Sequence, residues 1–234
     1  MAMMAERNWV LELEVFLAGK FSGLFADSEP SKPAFPDYSP AFEDWEAEYF
    51  LRGLENGLFS VDQACYVQSN FLPSPARGSD RQKTIQLFWS GGSGRRFLFR
   101  EGICQLATAS HLSIFHRFKK NQIEMEPNSK SIGSLANSID ILVRNHGEAT
   151  ICCEVKRNCE EFDELINGFK YCCSAGFHEK KDCKFEKNHP KYAVCRELKP
   201  KYFYAISPGQ KLYYRLDYVD DKISLQEIYE LPSP

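Results

Sequence analysis

The stretch "SIDILVRNHGEATICCEVKRN", which runs from Ser138 to Asn158, largely determines the fold that we expect for this chain. Its two apolar arms flank Gly147, and glycine readily adopts the positive φ that a tight β-hairpin turn requires. Antiparallel pairing centred on Gly147 gives three apolar pairs on one face, since side chains alternate along a strand. These pairs are Ile139 with Val155, Ile141 with Cys153, and Val143 with Ile151. A shift by one residue would mix the two faces, so we expect this register.

The same register sets Asp140 opposite Glu154, and directly opposed residues have Cβ atoms roughly 4.5–5.5 Å apart. Two carboxylates at that separation repel each other unless a cation lies between them, and oxygen ligands suit Mg²⁺ or Mn²⁺. The carbonyl of Val155 would be a further ligand. Lys156, on the same face as Glu154, would orient or help to deprotonate an attacking water. The alternative is a salt network in which Lys156 and Arg144 partner the two acids without a metal.

The segments from Arg100 onwards predict the order helix, strand, two-stranded hairpin, helix, strand and closing hairpin. The first helix lies in "REGICQLATASHLSIFHRF", and "NQIEMEP" is a short strand before the hairpin. The segment Cys159–Ala175 has apolar residues at helical spacing, with Gly176 as its stop. After a polar insertion at about 177–199, "KYFYAISPG" is a strand, and "KLYYRLDYV" with "ISLQEIYEL" forms the closing hairpin. We therefore expect an α/β fold with a mixed central sheet.

Asp140 on the second strand of this series and "EVK", Glu154 to Lys156, on the third resemble the metal-binding signature of the PD-(D/E)xK nuclease superfamily. The resemblance covers about residues 100–209 and implies the restriction-endonuclease-like α-β-β-β-α-β core. Ile139 stands where proline is typical, a substitution that the superfamily tolerates. The resemblance further implies a Mg²⁺-dependent nuclease, with Asp140 and Glu154 as metal ligands and Glu101, at the start of the first core helix, as an auxiliary acid. Alternatively, Glu101 only complements the helix dipole.

The second core helix carries a weaker similarity to the same superfamily. Its segment "NGFKY", Asn167 to Tyr171, is similar to the Q-x-x-x-Y pattern of the RecB-like branch, with Asn167 in place of glutamine. The resemblance implies nucleic-acid contacts by Asn167 and Tyr171, and Lys170 would reach a phosphate. The alternatives are a packed or surface aromatic at Tyr171 and a solvated lysine at Lys170.

Residues 1–99 are expected to form a helical and hairpin elaboration before the core at 100–234. Helices are predicted at Trp9–Phe25 and Phe42–Asn56, separated by the proline- and serine-rich connector Asp27–Pro40. The segment Lys83–Phe99 predicts two strands around the turn Gly91–Gly94. This region would shape substrate access or a homodimer contact.

Two arginines, Arg95 and Arg96, stand beside that glycine-rich turn. They would contact a DNA backbone, because phosphate contacts need only charge and position. Phe88 and Trp89, on the strand before the turn, are expected to pack in the protein rather than to stack on bases.

A second kind of metal site is predicted in the polar insertion. His178, Cys183, His189 and Cys195 would form a Cys₂His₂ zinc site, which would stabilise a long polar loop. Their spacings of 5, 6 and 6 lack the tight ligand pairs of zinc fingers. The alternative is a set of free cysteines and surface histidines.

The bulk composition is that of a globular protein without a strong charge bias. The 234 residues are 43% hydrophobic and 26% charged, with a net charge of −3 and a pI near 6.0, so nothing attracts the whole chain to nucleic acid or membrane. The N-terminus has acids within its apolar stretch, unlike a signal peptide, and no apolar run approaches the ~20 residues of a membrane span. Nine cysteines, an odd number with two adjacent pairs, favour reduced thiols in a cytoplasm.

Together these features predict a metal-dependent nuclease that hydrolyses phosphodiester bonds, with DNA as its partner, of a restriction or repair type. One alternative is a catalytically inactive nuclease-like fold that binds protein or nucleic acid, in keeping with the mildly acidic pI. Another is a zinc-stabilised regulatory protein. No serine or cysteine nucleophile has an acid–base partner at a recognisable spacing, so a hydrolase triad has no support.

Overall fold

A computed structural model of the chain describes residues 7–25, 34–71, 85–90, 96–127, 132–135 and 138–232. Five α-helices lie in these ranges: α1 (Trp9–Gly23), α2 (Asp44–Glu55), α3 (Arg100–Ile114), α4 (Cys159–Ala175) and α5 (His189–Leu198). The strands there are β1 (Phe59–Val61), β2 (Val67–Ser69), β3 (Phe88–Ser90), β4 (Arg96–Leu98), β5 (Ile123–Met125), β6 (Ile141–Asn145), β7 (Glu148–Val155), β8 (Tyr202–Ser207), β9 (Gln210–Val219) and β10 (Lys222–Ile228). The fold is therefore of the mixed α/β kind that the sequence predicts.

Six of the strands form one mixed sheet in the order β10-β9-β8-β7-β6-β5. Only the central pair, β7 and β8, is parallel, and the other neighbours in this sheet pair antiparallel. A parallel pair requires a crossover connection, and α4, the insertion and α5 form that crossover. The predicted order of helices and strands from residue 100 onwards is confirmed, and α5 is an additional helix inside the insertion.

The hairpin of β6 and β7 turns at His146 and Gly147, which have φ of 50° and 85°. Positive φ at both central residues defines the type I′ turn, whose twist matches that of the two strands of a hairpin. Near the turn, the register shifts at a bulge between Val143 and Arg144. Beyond the bulge, Ile141 pairs with Cys153 and Val143 with Ile151, so these two predicted pairs are confirmed.

The predicted sharing of a face by Ile139 and Val155 is wrong. Ile139 packs in the hydrophobic cluster beneath α4, whereas Val155 packs in the cluster on the opposite face of the sheet. The cause is a bend of the chain at 138–140. The strand β6 begins only after this bend, at Ile141. The alternation of side chains is therefore lost just before the strand.

Both faces of the sheet are covered by helices. On one face, buried residues of α1, α2 and α3 share a cluster with Ile141, Val143, Ile151 and Val155. On the other face, α4 and α5 cover Leu142, Cys152, Phe203 and Ala205 of the same strands. Alternating side chains of each central strand thus enter two different cores, and buried residues from the first hundred positions belong to one of them.

The N-terminal elements follow the sequence prediction closely. α1 and α2 end a residue or two earlier than expected, and β3 and β4 are the two strands predicted within 83–99. Residues 34–40 of the predicted connector contain neither helix nor strand, and the rest of it falls outside the described ranges. The short antiparallel pair β1–β2 was not expected.

Candidate functional site

The predicted acids Asp140 and Glu154 lie at neighbouring ends of β6 and β7. The Asp140 N–H donates to the Cys153 carbonyl over 3.2 Å, and its carboxylate Oδ2 accepts from the Val155 N–H at 2.6 Å. The Asp140 side chain thus takes the place of a backbone acceptor where the ladder stops. Because the N–H and C=O of a strand residue point to the same side, the Val155 carbonyl is directed towards Asp140 as well.

Glu154 is 3% exposed and has ammonium groups at only one of its two carboxylate oxygens. Its Oε1 lies 2.6 Å from Lys156 Nζ and 3.2 Å from Lys191 Nζ. Its Oε2 is buried and has no hydrogen-bond partner among the described residues. A buried carboxylate oxygen without a partner is costly, so this atom is suited to a ligand that the protein itself does not supply.

Burial and the charge of Glu154 shift the pKa values of the groups around this acid. Burial, and next the charge of Glu154, raise the pKa of Asp140 well above its ordinary value. Burial raises the pKa of Glu101, and Glu154 adds to that shift while Lys156 opposes it. Burial alone would lower the pKa of Lys156, but Glu154, Asp140 and Glu101 together raise it above the ordinary value of a lysine. Three carboxylates therefore share one electrostatic environment, and the lysine beside them is an ammonium ion.

Glu101, in the first turn of α3, also lines an open cavity of about 410 Å³, to which Asp140 and Glu154 do not contribute. Arg157 lies on one side of this cavity, with its side chain 65% exposed and 2.5 Å from Glu161. The aromatic residues Trp89 and Phe97 line the same cavity and are 50% and 42% exposed. The expected packing is confirmed for Phe88, which is fully buried, whereas Trp89 packs on Phe97 and remains half exposed.

None of the described residues predicted to contact nucleic acid is among those that line this cavity. Arg95 is outside the described ranges, and Arg96 is half-buried, with its guanidinium 5.8 Å from the centre of the Phe25 ring. Asn167 and Lys170 are exposed on α4, and Lys170 Nζ lies 5.6 Å from the centre of the Tyr214 ring.

Tyr171 packs against the insertion. Its ring centre is 5.4 Å from that of Phe185 and 5.9 Å from that of His178. The structure thus places this tyrosine at the second candidate site, described next, and away from Asp140 and Glu154.

A Cys/His cluster lies between α4 and the start of α5. Its members are Cys172, His178, Cys183 and His189, and one ligand atom from each lies within 4.8 Å of all the others. Cys172 Sγ is 3.5 Å from Cys183 Sγ and 3.7 Å from His189 Nδ1. The cluster could hold a metal ion, and it is the one group of three or more such ligands, at this spacing, among the described residues.

The ring of His178 is oriented in the way that a metal ligand requires. Its Nδ1 lies 2.7 Å from the Gly176 carbonyl, which can only accept a hydrogen bond, so Nδ1 carries the proton. Nε2 then has a free lone pair, and this atom is buried without a hydrogen-bond partner in the described chain. A ligating histidine is commonly fixed in this manner by a carbonyl behind it.

Close packing keeps the insertion against α4. A Cβ atom at Gly168 would lie 2.9 Å from the Phe185 Cβ and 3.0 Å from the Asn188 Cβ, so glycine permits this approach. Asn188 Nδ2 also donates to the Glu164 carbonyl over 3.2 Å. Asn188 directly precedes α5. Its contacts with α4 therefore fix the end of the loop that carries Cys183.

The ligand set predicted in the insertion needs one correction. Cys195 is not a member of the cluster, and Cys172 of α4 takes its place. The reason is the geometry of α5. Six residues after His189 the helix has turned by about 600°, so Cys195 lies on a different side of the helix from His189. Cys195 consequently faces Cys152 of β7, and both thiols are fully buried in the hydrophobic cluster on this face of the sheet.

Two residues of these sites escaped the sequence prediction. Lys191 belongs to an insertion that shows no apolar strand or helix pattern, and nothing in the sequence ties it to Glu154. Cys172 could have been found, because the spacing C-x₅-H-x₄-C-x₅-H is regular once the cysteines of the preceding helix are included.

Comparison with known proteins adds no relative: no protein-family model, no curated protein and no solved structure matches the chain. In the part of the chain that the structure describes, none of the helices combines the length and the apolar character needed to cross a membrane. All nine cysteines are free thiols. The two sites themselves are therefore the features that bear on function.

Proposed function

We propose that this protein is a nuclease that uses Mg²⁺ or Mn²⁺ to hydrolyse phosphodiester bonds, with DNA as its substrate. The observation that carries the proposal is the unpartnered Oε2 of Glu154, beside Asp140 and next to a protonated Lys156. An acid pair with a vacant oxygen and a neighbouring ammonium is the arrangement expected of a divalent-cation site that acts on a phosphate.

The architecture supports the same proposal. The series α3, β5, β6, β7, α4 and β8, with β8 parallel to β7, agrees with the restriction-endonuclease-like core that the sequence resemblance implies. In that core the signature acids are expected at the ends of the second and third strands. Asp140 and Glu154 stand at the corresponding ends of β6 and β7.

The residues present fit a divalent cation. Burial, and next the charge of Glu154, raise the pKa of Asp140, and a cation between the two acids would offset both the burial and the repulsion. The carboxylates of Asp140 and Glu154 and the Val155 carbonyl would hold the ion, with Glu101 as an auxiliary acid. When bound, such an ion supplies a more acidic water and neutralises charge on the phosphate.

Lys156 would act as a cation and not as a base. Its pKa is raised by the surrounding acids, so it keeps its proton at neutral pH. Its ammonium group can then donate hydrogen bonds to the attacking water or to a phosphate oxygen. The exposed Arg157 and the cavity beside Glu101 supply charge and space for the nucleic acid.

The test is cleavage of linear and supercoiled DNA by purified protein with Mg²⁺ or Mn²⁺. Asp140→Ala and Lys156→Ala should each abolish cleavage while circular dichroism and the melting temperature show a folded protein. Glu148→Gln, which changes an exposed acid at the far end of β7, should cleave like the wild type. Full cleavage by either active-site variant would refute the assigned roles.

A second function is favoured by the two lysines on Glu154. Lys156 and Lys191 already neutralise one oxygen of this acid without a metal. A fold with this fixed arrangement would serve as a catalytically inactive module that binds protein or nucleic acid. Calorimetric titration with Mn²⁺ separates the two functions, because the inactive module predicts no saturable binding that depends on Asp140.

We also propose that the Cys/His cluster holds zinc in a structural role. Ligand bonds of roughly 2.3 Å to sulfur and 2.0–2.1 Å to nitrogen in a tetrahedron give about 3.8 Å between two sulfurs and about 3.6 Å between sulfur and nitrogen. The observed 3.5 and 3.7 Å are close to these separations. Four protein ligands leave no open position, which suits structure and not catalysis.

Elemental analysis of purified protein tests the zinc assignment. The wild type should contain one zinc per chain, and Cys172→Ser and Cys183→Ser should contain little. Cys195→Ser should keep its zinc, because this thiol faces Cys152. Loss of zinc from Cys195→Ser with retention in Cys172→Ser would overturn the ligand set.

A further inference from the structure

The second lysine on Glu154 reaches the candidate catalytic site from the Cys/His cluster. Lys191 lies two residues after His189, the cluster member with which α5 begins. Lys191 Nζ is 3.2 Å from Glu154 Oε1, and the two side chains are only 14% and 4% exposed. A nearly buried ion pair of this kind requires a well-fixed backbone on both sides.

The backbone of Lys191 is fixed by the hydrogen bonds of the first turn of α5 and by the contact of that turn with α4. The His189 N–H donates to the Phe185 carbonyl over 3.0 Å, and the Lys191 N–H donates to the Asn188 carbonyl over 3.1 Å. The imidazole of His189 lies against Cys172 of α4. A metal held by both residues would therefore join the start of α5 to α4 by strong bonds.

We propose that the metal in the Cys/His cluster positions Lys191 as a second cation of the catalytic site, which contacts the phosphate of the substrate. This inference goes beyond the proposed nuclease activity and rests on it for the role towards the substrate. The positioning step itself depends only on the cluster and on the ion pair with Glu154.

The role follows from how the charges change when the catalytic metal binds. Lys156 and Lys191 both lie on Oε1 of Glu154. A divalent cation on Glu154 competes with both ammonium groups, so each is then free to attract the negative phosphate. Removing Lys191 should consequently make Mn²⁺ bind more tightly and at the same time make cleavage slower. A residue with only a structural role would not produce these opposite changes.

The first experiment measures the positioning step without reference to activity. A double-mutant cycle of Lys191→Met and Glu154→Gln is carried out by urea unfolding, in the zinc-containing protein and in the Cys183→Ser background. We expect coupling between the two residues in the first protein and its loss in the second. The same coupling in both backgrounds would overturn the proposal. Since Cys183→Ser itself has to fold, the wild type stripped of zinc by a chelator is measured as well.

The second experiment measures the role of Lys191 in the catalytic site. Lys191→Met should bind Mn²⁺ roughly fivefold more tightly than the wild type in calorimetry and cleave DNA about tenfold more slowly. Lys187→Met, an exposed lysine of the same insertion, is the control and should change neither. Weaker Mn²⁺ binding by Lys191→Met, or unchanged cleavage, would overturn its role. A wild type that binds Mn²⁺ without cleaving DNA would refute the nuclease activity alone, and the double-mutant cycle would still decide the positioning.

Discussion

Trp89 and Phe97 face each other across the β3–β4 pair, with ring centres 5.6 Å apart, and both remain about half exposed. Large aromatic side chains are seldom left exposed as a pair without a partner. They line the cavity that also contains Glu101, and for the proposed DNA substrate they offer a surface on which an unpaired base would stack. Stacking on an aromatic ring suits any base, because every base has a π face.

We therefore predict that Trp89→Ala weakens the binding of single-stranded DNA by about 1–3 kcal/mol and changes the melting temperature little. Fluorescence anisotropy with labelled oligonucleotides, with Ca²⁺ in place of Mg²⁺ to limit cleavage, measures the affinity. Tyr229→Ala removes an exposed aromatic from the C-terminal segment and serves as the control. Equal affinities of Trp89→Ala and the wild type would exclude a stacking role.

A second prediction concerns the buried ion pair between Glu46 of α2 and Arg100 of α3. Arg100 Nη2 lies 2.8 Å from Glu46 Oε2, its Nη1 also contacts this carboxylate, and both residues are almost completely buried. Glu46→Gln would leave a buried guanidinium without its counter-charge, which costs about 3–5 kcal/mol. Urea unfolding measures this loss.

The exposed pair of Glu48 and Arg52 on the same helix provides the control for that measurement. Its N–O distance is 3.0 Å, with 27% and 41% of the side chains exposed. Glu48→Gln should cost no more than about 0.5 kcal/mol. Similar losses for the two variants would show that burial does not determine the contribution of the Glu46 pair.

A third prediction is a loss of stability in mild acid that depends on His111. Burial, and next the charges of His116 and Lys211, lower the pKa of His111 to about 3, whereas an unfolded histidine has a pKa near 6.5. Between these values the unfolded chain binds the proton and the folded chain does not, so stability is present above pH 6.5 and falls as the pH drops below it.

The loss should approach about 1.4 kcal/mol per pH unit for this one group. Urea unfolding at pH 7.5 and pH 5 should therefore show a smaller difference for His111→Gln than for the wild type, by about 2 kcal/mol. The neighbouring His116, whose pKa is also lowered by burial, contributes in the same direction and remains in both proteins. An identical difference in the two proteins would contradict the assignment.

A fourth prediction is that Asp140→Asn stabilises the metal-free protein at neutral pH. The pKa of Asp140 is raised by burial and by Glu154, so the folded state holds this proton more tightly than the unfolded state. The cost of ionising Asp140 therefore appears as the pH rises above the ordinary pKa of an aspartate. A gain of roughly 1 kcal/mol, or about 2–4 °C in melting temperature, is expected at pH 7.

Scanning fluorimetry tests this prediction at pH 7 and pH 4, because the gain should disappear in acid. Asp217→Asn, an exposed aspartate paired with Arg215 on β9, is the control. Added Mn²⁺ should raise the melting temperature of the wild type and not that of Asp140→Asn. A variant less stable than the wild type at pH 7 would show that the ionisation of Asp140 does not destabilise the folded protein.

The sequence predicted those parts of the structure in which a strict pattern leaves one solution. The register of Ile141 with Cys153 and of Val143 with Ile151 was predictable, because a shift by one residue would mix the two faces of the strands. The bend at Asp140 was not predictable, because it results from a side-chain hydrogen bond to Val155 that replaces a ladder bond.

The contacts of the sites were less predictable than the strands. The ion pair of Lys191 with Glu154 joins residues far apart in the chain, and no sequence pattern relates the polar face of α5 to the end of β7. The exposure of Trp89 depends on which face of β3 is covered by the rest of the protein. With only three residues, β3 is too short for its alternation of apolar and polar residues to indicate that face. The cluster was predicted in three of its four members, because the fourth, Cys172, lies in α4, outside the insertion in which the ligands were expected.

The parallel pairing of β7 with β8 has a consequence for how the chain folds. The two strands are separated in sequence by the whole crossover, so their contact closes a long loop and loses the corresponding chain entropy. The Cys/His cluster lies inside this crossover. A metal ion that gathers Cys172, Cys183 and His189 early would shorten the loop still to be closed, so the supply of metal would govern the rate at which the centre of the sheet assembles.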